Sequence, residues 1–206
     1  MGPAPGPWFR GKMSAMGKAA PARRLTPEEY LTWERAQPTR HEYLNGEVFA
    51  MAGASPAHND IVANILGELR EALRDKPCRA RASDQRVKIP ATGLYTYPDV
   101  LVMCGTPEYE AGEPPSLINP TVVIEVLSDS TERDDRGKKF RHYRTIPSLQ
   151  DYVLASQDSI WIEHYIRREK DVWELHDTLP GGTLSLASCG VELRVDELYL
   201  KVFDAV

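Results

Sequence analysis

The sequence predicts an α+β domain: a mixed sheet with helices over its faces and a C-terminal β extension. Three observations predict it. Between Pro56 and Ala155 the pattern runs helix, strand, strand, strand, helix, strand. The first of those helices is amphipathic and so needs a surface to cover. Hairpin signals stand outside this core at both ends.

Taken in order, the elements start at Thr26. Thr26-Pro27-Glu28-Glu29 has a hydroxyl at the N-cap, proline at N1 and glutamate at N3, a capping box that opens a short helix to about Ala36. Asn45-Gly46 between β-forming residues predicts a tight hairpin. Ser55-Pro56 starts the amphipathic helix, with Ile61, Val62, Ile65, Leu66, Leu69 and Leu73 along one face. Strands are expected over residues 78–89, 97–104 and 121–127, with a Gly/Pro/Glu-rich loop over 105–120 whose glutamates 108, 110 and 113 form a solvated face. Asp129 or Ser130 caps a basic helix that Pro147 stops. Residues 151–155 form a short strand, residues 160–168 and 172–176 a hairpin around Glu169-Lys170, and residues 193–203 one more strand or short helix.

Residues 1–24 are rich in Pro, Gly, Ala and basic side chains, lack the apolar core of a secretory signal, and read as a disordered tail ahead of one domain over residues 25–206. No apolar run approaches the roughly 20 residues that span a bilayer. The net charge of −5 argues against a protein that coats nucleic acid indiscriminately, although a local basic patch remains compatible with it. Cys78, Cys104 and Cys189 are scattered without CxxC spacing and predict reduced thiols in a cytoplasmic protein. Walker A, GxGxxG, HExxH and GxSxG motifs are absent from the sequence, which removes support for nucleotide, dinucleotide, zincin and serine-hydrolase readings.

Two acids carry the chemistry. Asp99 stands at the start of its expected strand, in Pro98-Asp99-Val100-Leu101, and Glu125 near the end of the next, in Val123-Ile124-Glu125-Val126-Leu127. If the two strands pair antiparallel, both acids reach one sheet edge, Asp99 sharing a face with Leu101 and Met103, Glu125 with Val123 and Leu127. A carboxylate among aliphatic neighbours is costly to bury without a cation or strong donors. Two converging carboxylates suit Mg²⁺ or Mn²⁺ with retained waters, and such an ion activates water and neutralises a transferring phosphoryl group. Taken singly, either acid could instead cap a strand end or pair with an arginine.

Pro98-Asp99-Val100, Ile124-Glu125-Val126-Leu127-Ser128, the run from Asp135 to Arg144 and Asp151-Tyr152-Val153-Leu154 together resemble the Uma2 family, domains of unassigned function of restriction-endonuclease type. Tyr43-Leu44-Asn45-Gly46-Glu47 and Ser55-Pro56-Ala57-His58 extend the resemblance, which covers roughly residues 26–202. It implies a restriction-endonuclease-like core of the PD-(D/E)XK superfamily, in which Asp99, Glu125 and the Val126 carbonyl hold the metal. The superfamily's lysine two positions past the glutamate is Leu127 here. The family pattern implies a replacement from the following helix, Lys139, with Lys138 as the alternative. The plain reading of Lys139 is an i,i+4 pair with Asp135, worth roughly 0.3–0.5 kcal/mol.

Glu42 and His58 match further positions of the family pattern, as a third acid and a contact to phosphate or metal-bound water; Gln85 is a strand residue that could reach the same site. Arg133, Arg136, Lys138, Arg141 and Arg144 make the helix after Glu125 basic, either a phosphate-contacting face or a solvated one. Trp161, Tyr165 and Trp173 either stack on bases or cover a core. The function expected is metal-dependent hydrolysis of DNA, with a homodimer by analogy to superfamily enzymes that cut both strands. The rival readings are a nuclease-derived module that binds nucleic acid or protein without turnover, and a hydrolase of some other phosphate ester.

Overall fold

The computed structural model describes residues 23–51, 53–128 and 132–203. In chain order the elements are helix α1 (Pro27–Glu34), strands β1 (His41–Leu44) and β2 (Glu47–Ala50), helix α2 (Pro56–Ala72), and strands β3 (Cys78–Ala82), β4 (Val87–Ile89), β5 (Leu94–Thr96), β6 (Val100–Cys104), β7 (Tyr109–Glu110), β8 (Ser116–Leu117) and β9 (Val122–Leu127). Then come α3 (Glu132–Asp134), a π-helical turn (Asp135–Lys139) and α4 (Phe140–Tyr143), strands β10 (Asp151–Ser156), β11 (Ile162–Glu169), β12 (Val172–Thr178), β13 (Thr183–Leu186) and β14 (Val191–Arg194), and helix α5 (Val195–Leu198).

The main sheet has the order β12-β11-β10-β9-β6-β3. β3, β6 and β9 are antiparallel neighbours, and β10 returns parallel to β9 after the helical segment. This is the mixed sheet of the expected helix–three strands–helix–strand core. Alternation along β6 and β9 splits their side chains between two cores. Val100, Val102, Val122, Ile124 and Val126 face α2, which buries Ile61, Ile65 and Leu69 against them beside α5 and β14. Leu101, Met103, Val123 and Leu127 face the other way, under Tyr143, Ile146 and a second sheet. That sheet has the order β2-β1-β5-β4-β8-β7.

Local signals set several boundaries as expected. Thr26 and Glu29 form the reciprocal capping box, and Ser55 Oγ accepts from the His58 N–H to cap α2. Asn45 and Gly46 have φ of 50° and 90°, the paired positive values that a two-residue hairpin turn demands.

Four expectations are corrected. Residues 78–89 are two strands in different sheets, broken at Ser83 and Asp84. The segment 105–120 contains β7 and β8, and its Glu110 is drawn in by Lys88 and by the Tyr95 hydroxyl at 2.6 Å, so only part of its acidic set is solvated. The helix after Glu125 is interrupted by a π turn; its expected caps, Asp129 and Ser130, lie outside the described residues. Cys78 and Cys104 form a disulfide, because β3 and β6 bring them directly opposite one another; only Cys189 is free. Most of the expected tail also lies outside the described residues, but Arg23 and Arg24 pair with Glu29 and Glu47.

Candidate metal centre

The register of β6 on β9 pairs Val100 with Ile124 and Leu101 with Val123. One step further, Asp99 stands across from Glu125 on the same face. Backbone bonds lock the pair: the Asp99 N–H donates to Glu125 Oε2 at 3.2 Å, and the Val126 N–H donates to Asp99 Oδ2 at 2.8 Å. In extended chain a residue's N–H and C=O face the same neighbour, which turns the Val126 carbonyl toward Asp99 as well.

Glu125 is 3% exposed. Its Oε1 accepts from the Tyr143 hydroxyl at 3.0 Å and lies 3.5 Å from Lys139 Nζ. Burial pushes its carboxyl well above the usual range; Lys139 opposes that shift, and the charges of Asp135, Asp99 and Glu42 add to it. Burial likewise raises the Tyr143 hydroxyl, with Glu125 adding to the effect, so it remains a donor.

Lys139 reaches this point from the π turn. Its Nζ lies 3.1 Å from Glu42 Oε1 and 3.2 Å from Asp135 Oδ1. Burial alone would lower the amine, but Glu125, Glu42 and Asp135 outweigh it and hold the ammonium form well above its ordinary range. The i,i+4 pair with Asp135 and the approach to Glu125 therefore coexist. Lys138 instead pairs with Asp134 on the surface at 2.9 Å. Glu42 arrives on β1, its Oε1 accepting from Thr96 Oγ1 at 2.5 Å.

His58, in the first turn of α2, places Nε2 3.2 Å from Asp99 Oδ2. His58 Nδ1 is buried and without a hydrogen-bond partner among the described residues. Gln85 is not drawn in: it bonds to Arg81 and to the carbonyls of Arg86 and Pro115.

The donors present suit a hard divalent cation. Glu42, Glu125 and Asp135 surround Lys139 while Asp99 meets His58, leaving negative charge in excess, and Asp99 Oδ1 has no protein donor among the described residues. No group of three or more acidic, His or Cys ligands converges there among the described residues. Two carboxylates with several waters is nevertheless a usual way to hold Mg²⁺.

Comparison with known proteins decides the family. Residues 27–196 match Uma2, described as "Putative restriction endonuclease". The chain belongs to the Uma2 family. Two uncharacterized Synechocystis proteins are similar to it: slr1290 is 37% identical over 91% of this chain and 97% of its own length, and sll1609 is 35% identical over 75% and 88%. A crystal structure described as a putative nuclease of DUF820 from Anabaena variabilis superposes with a TM-score of 0.68 at 18% identity, covering 87% of this chain and 99% of that one. At that identity the likeness establishes the fold alone, an α+β architecture shared across nearly the whole domain.

Within the Uma2 site, sequence reasoning missed the Tyr143 hydroxyl and the burial of Asp135. A signal existed for both: Asp135, Lys139 and Tyr143 recur at intervals of four, so one helix edge faces Glu125. The aromatic residues resolve toward packing: Tyr165 tilted and Trp173 edge-on pack around Phe140, and Arg136 lies over Trp161.

Proposed function

We propose that this Uma2 protein is a divalent-metal-dependent endonuclease that hydrolyses DNA phosphodiester bonds. What supports the reading most is the placement of Asp99 and Glu125 across from each other at one end of β6 and β9, with Lys139 beside them. Asp99, Glu125 and the Val126 carbonyl would hold Mg²⁺ or Mn²⁺. Such an ion supplies an activated water and neutralises charge on the scissile phosphate.

The protein's own groups do the rest. The Tyr143 hydroxyl and the Asp99 N–H fix the two oxygens of Glu125. His58 Nε2 and the Val126 N–H hold Asp99 Oδ2 in place, and Asp99 would take part in holding the ion. Lys139, kept as ammonium by three carboxylates, acts as a donor that positions water and offsets charge on the phosphoryl oxygens. Glu42 and Asp135 orient that ammonium. The same reading places the protein in the cytoplasm with its substrate, as one domain that works as a homodimer when both strands are cut. Among the described residues no helix is long and apolar enough to cross a membrane. A reducing cytoplasm would open the Cys78–Cys104 link.

Supercoiled plasmid incubated with Mg²⁺ or Mn²⁺ tests the reading, alongside Asp99→Ala and Glu125→Ala. Nicked or linear product from the wild type, reduced about 10³-fold in both variants, is expected, since the ion's contribution is several kcal/mol. Equal cleavage by all three would mean a contaminant and contradict the mechanism. DNA binding without cleavage would favour the non-catalytic module.

A further inference from the structure

The basic helix that the sequence offers as a phosphate-binding face is neutralised along the part nearest the site, while Arg141 and Arg144 further on are exposed and make no ion pair among the described residues. Arg136 is held by Glu132 and Glu163, Lys138 by Asp134, and Lys139 by the site's own acids. A second group of uncompensated positive charge gathers at the β3 edge of the main sheet. Arg70 on α2 and Arg79 on β3 are exposed and make no ion pair among the described residues. Arg81 meets only neutral partners, the Gln85 side chain and the face of Tyr109 at 5.9 Å.

These residues are not scattered. Arg70 and Arg81 line a groove of about 430 Å³ with Leu66, Ala80, Ala82 and Gln85. Its remaining member, Asp84, is already paired with Arg40 at 2.9 Å. β3 is the last strand of its sheet, so its outer backbone groups have no strand partner. The register ties the groove to the metal centre: Arg81 is opposite Leu101 and Ala82 opposite Val100, the residue after Asp99. With strands about 4.8 Å apart and about 3.4 Å per residue along them, Arg81 stands within roughly one nucleotide's reach of the centre.

We propose that the β3-edge groove is the track for the DNA backbone leading into the Asp99–Glu125 centre, with Arg70 and Arg81 inside it and Arg79, two residues before Arg81 on β3, flanking it, contacting successive phosphates. This deepens the nuclease reading and rests on it for the identity of the polyanion. A duplex carries one negative charge per about 1.7 Å of axis, and guanidinium groups match phosphate geometry bidentately. A local row of free arginines reconciles a net charge of −5 with a nucleic-acid substrate.

The test is fluorescence anisotropy of a labelled 30-base-pair duplex in Ca²⁺, measured as a function of salt. It compares the wild type, the triple variant Arg70→Ala/Arg79→Ala/Arg81→Ala, and a charge-matched control, Lys76→Ala/Lys170→Ala/Lys201→Ala. Circular dichroism confirms that each is folded. The triple variant is expected to bind at least about tenfold more weakly, with a salt slope shallower by about 2 to 3, while the control binds as the wild type does. Equal affinity and slope for the triple variant and the wild type would overturn the groove. Equal losses in the control would also overturn it, by reducing the effect to bulk charge. Because binding is read without turnover, a wild type that binds through the groove but never cleaves would refute the nuclease reading and leave the track standing.

Discussion

Two buried polar clusters sit on the same sheet and are built on opposite terms. At the start of β10, Asp151 is 2% exposed, and each of its oxygens has a donor: His164 Nε2 at 2.7 Å and the Ser188 hydroxyl. One acid meets two donors, and the cluster ties the segment after β13 to the sheet. At the candidate metal centre, four acids meet one lysine and one histidine. The first cluster is satisfied by the chain itself. The second is short of positive charge, with the buried Glu125 carboxyl pushed toward the protonated form. A fold keeps such a deficit where something from outside completes it, and strained electrostatics in a cleft is a mark of function.

The contrast breaks most sharply on Glu125→Gln. Metal-dependent cleavage should fall about 10³-fold, or about 4 kcal/mol in the barrier. The metal-free protein should nonetheless melt about 2–4 °C higher, since the change removes a buried, under-compensated charge worth about 1 kcal/mol while keeping the Tyr143 acceptor. A lower melting point would place Glu125 in the satisfied class. Asp151→Ala should do the reverse. Losing the acid strands His164 and Ser188 and should cost about 3 kcal/mol, read in a urea melt, with little change in cleavage by the folded fraction.

A smaller effect probes the support of Asp99. His58→Ala removes the donor to Oδ2 and should lower cleavage by about 10- to 100-fold, as loss of a ligand's hydrogen-bond partner commonly does. The accompanying loss of Mn²⁺ affinity, measured by calorimetry, separates this from a contact to substrate alone. Smallest of all is the capping box. The Arg23 guanidinium, with the Thr26 N–H, pulls Glu29 down to about 2 from its ordinary 4.5. Its folded value lies below the unfolded one, so its stabilisation is present above pH 4.5 and is lost as the pH falls toward 2. An NMR titration should find that midpoint, and Arg23→Ala should move it upward.

The satisfied and unsatisfied clusters were unequally legible in the sequence. Asp99 and Glu125 were visible because each interrupts an aliphatic run, and alternation placed them on one face once antiparallel pairing was assumed. The α2 cap at Ser55 and the Asn45-Gly46 turn carry their geometry locally, so they too were readable. The second sheet was hidden because β4, β5, β7 and β8 are two or three residues long, too short for any period to register. The Cys78–Cys104 pairing depends on a register that a sequence separation of 26 residues conceals. The π turn leaves the composition of its helix unchanged, so Asp135 read as a surface partner of Lys139 although it is 2% exposed. Gln85, chosen from its position on an expected strand, lies in the break between β3 and β4, which is why it bonds to Arg81 and to the Pro115 carbonyl instead.

The charge deficit at the metal centre is most directly tested by crystals soaked in Mn²⁺ and measured at a wavelength where manganese scatters anomalously. A single anomalous peak within about 2.3 Å of oxygens from both Asp99 and Glu125, and lost in Asp99→Ala, is the predicted result. No peak there at millimolar Mn²⁺, with Lys139 alone neutralising the acids, would contradict it.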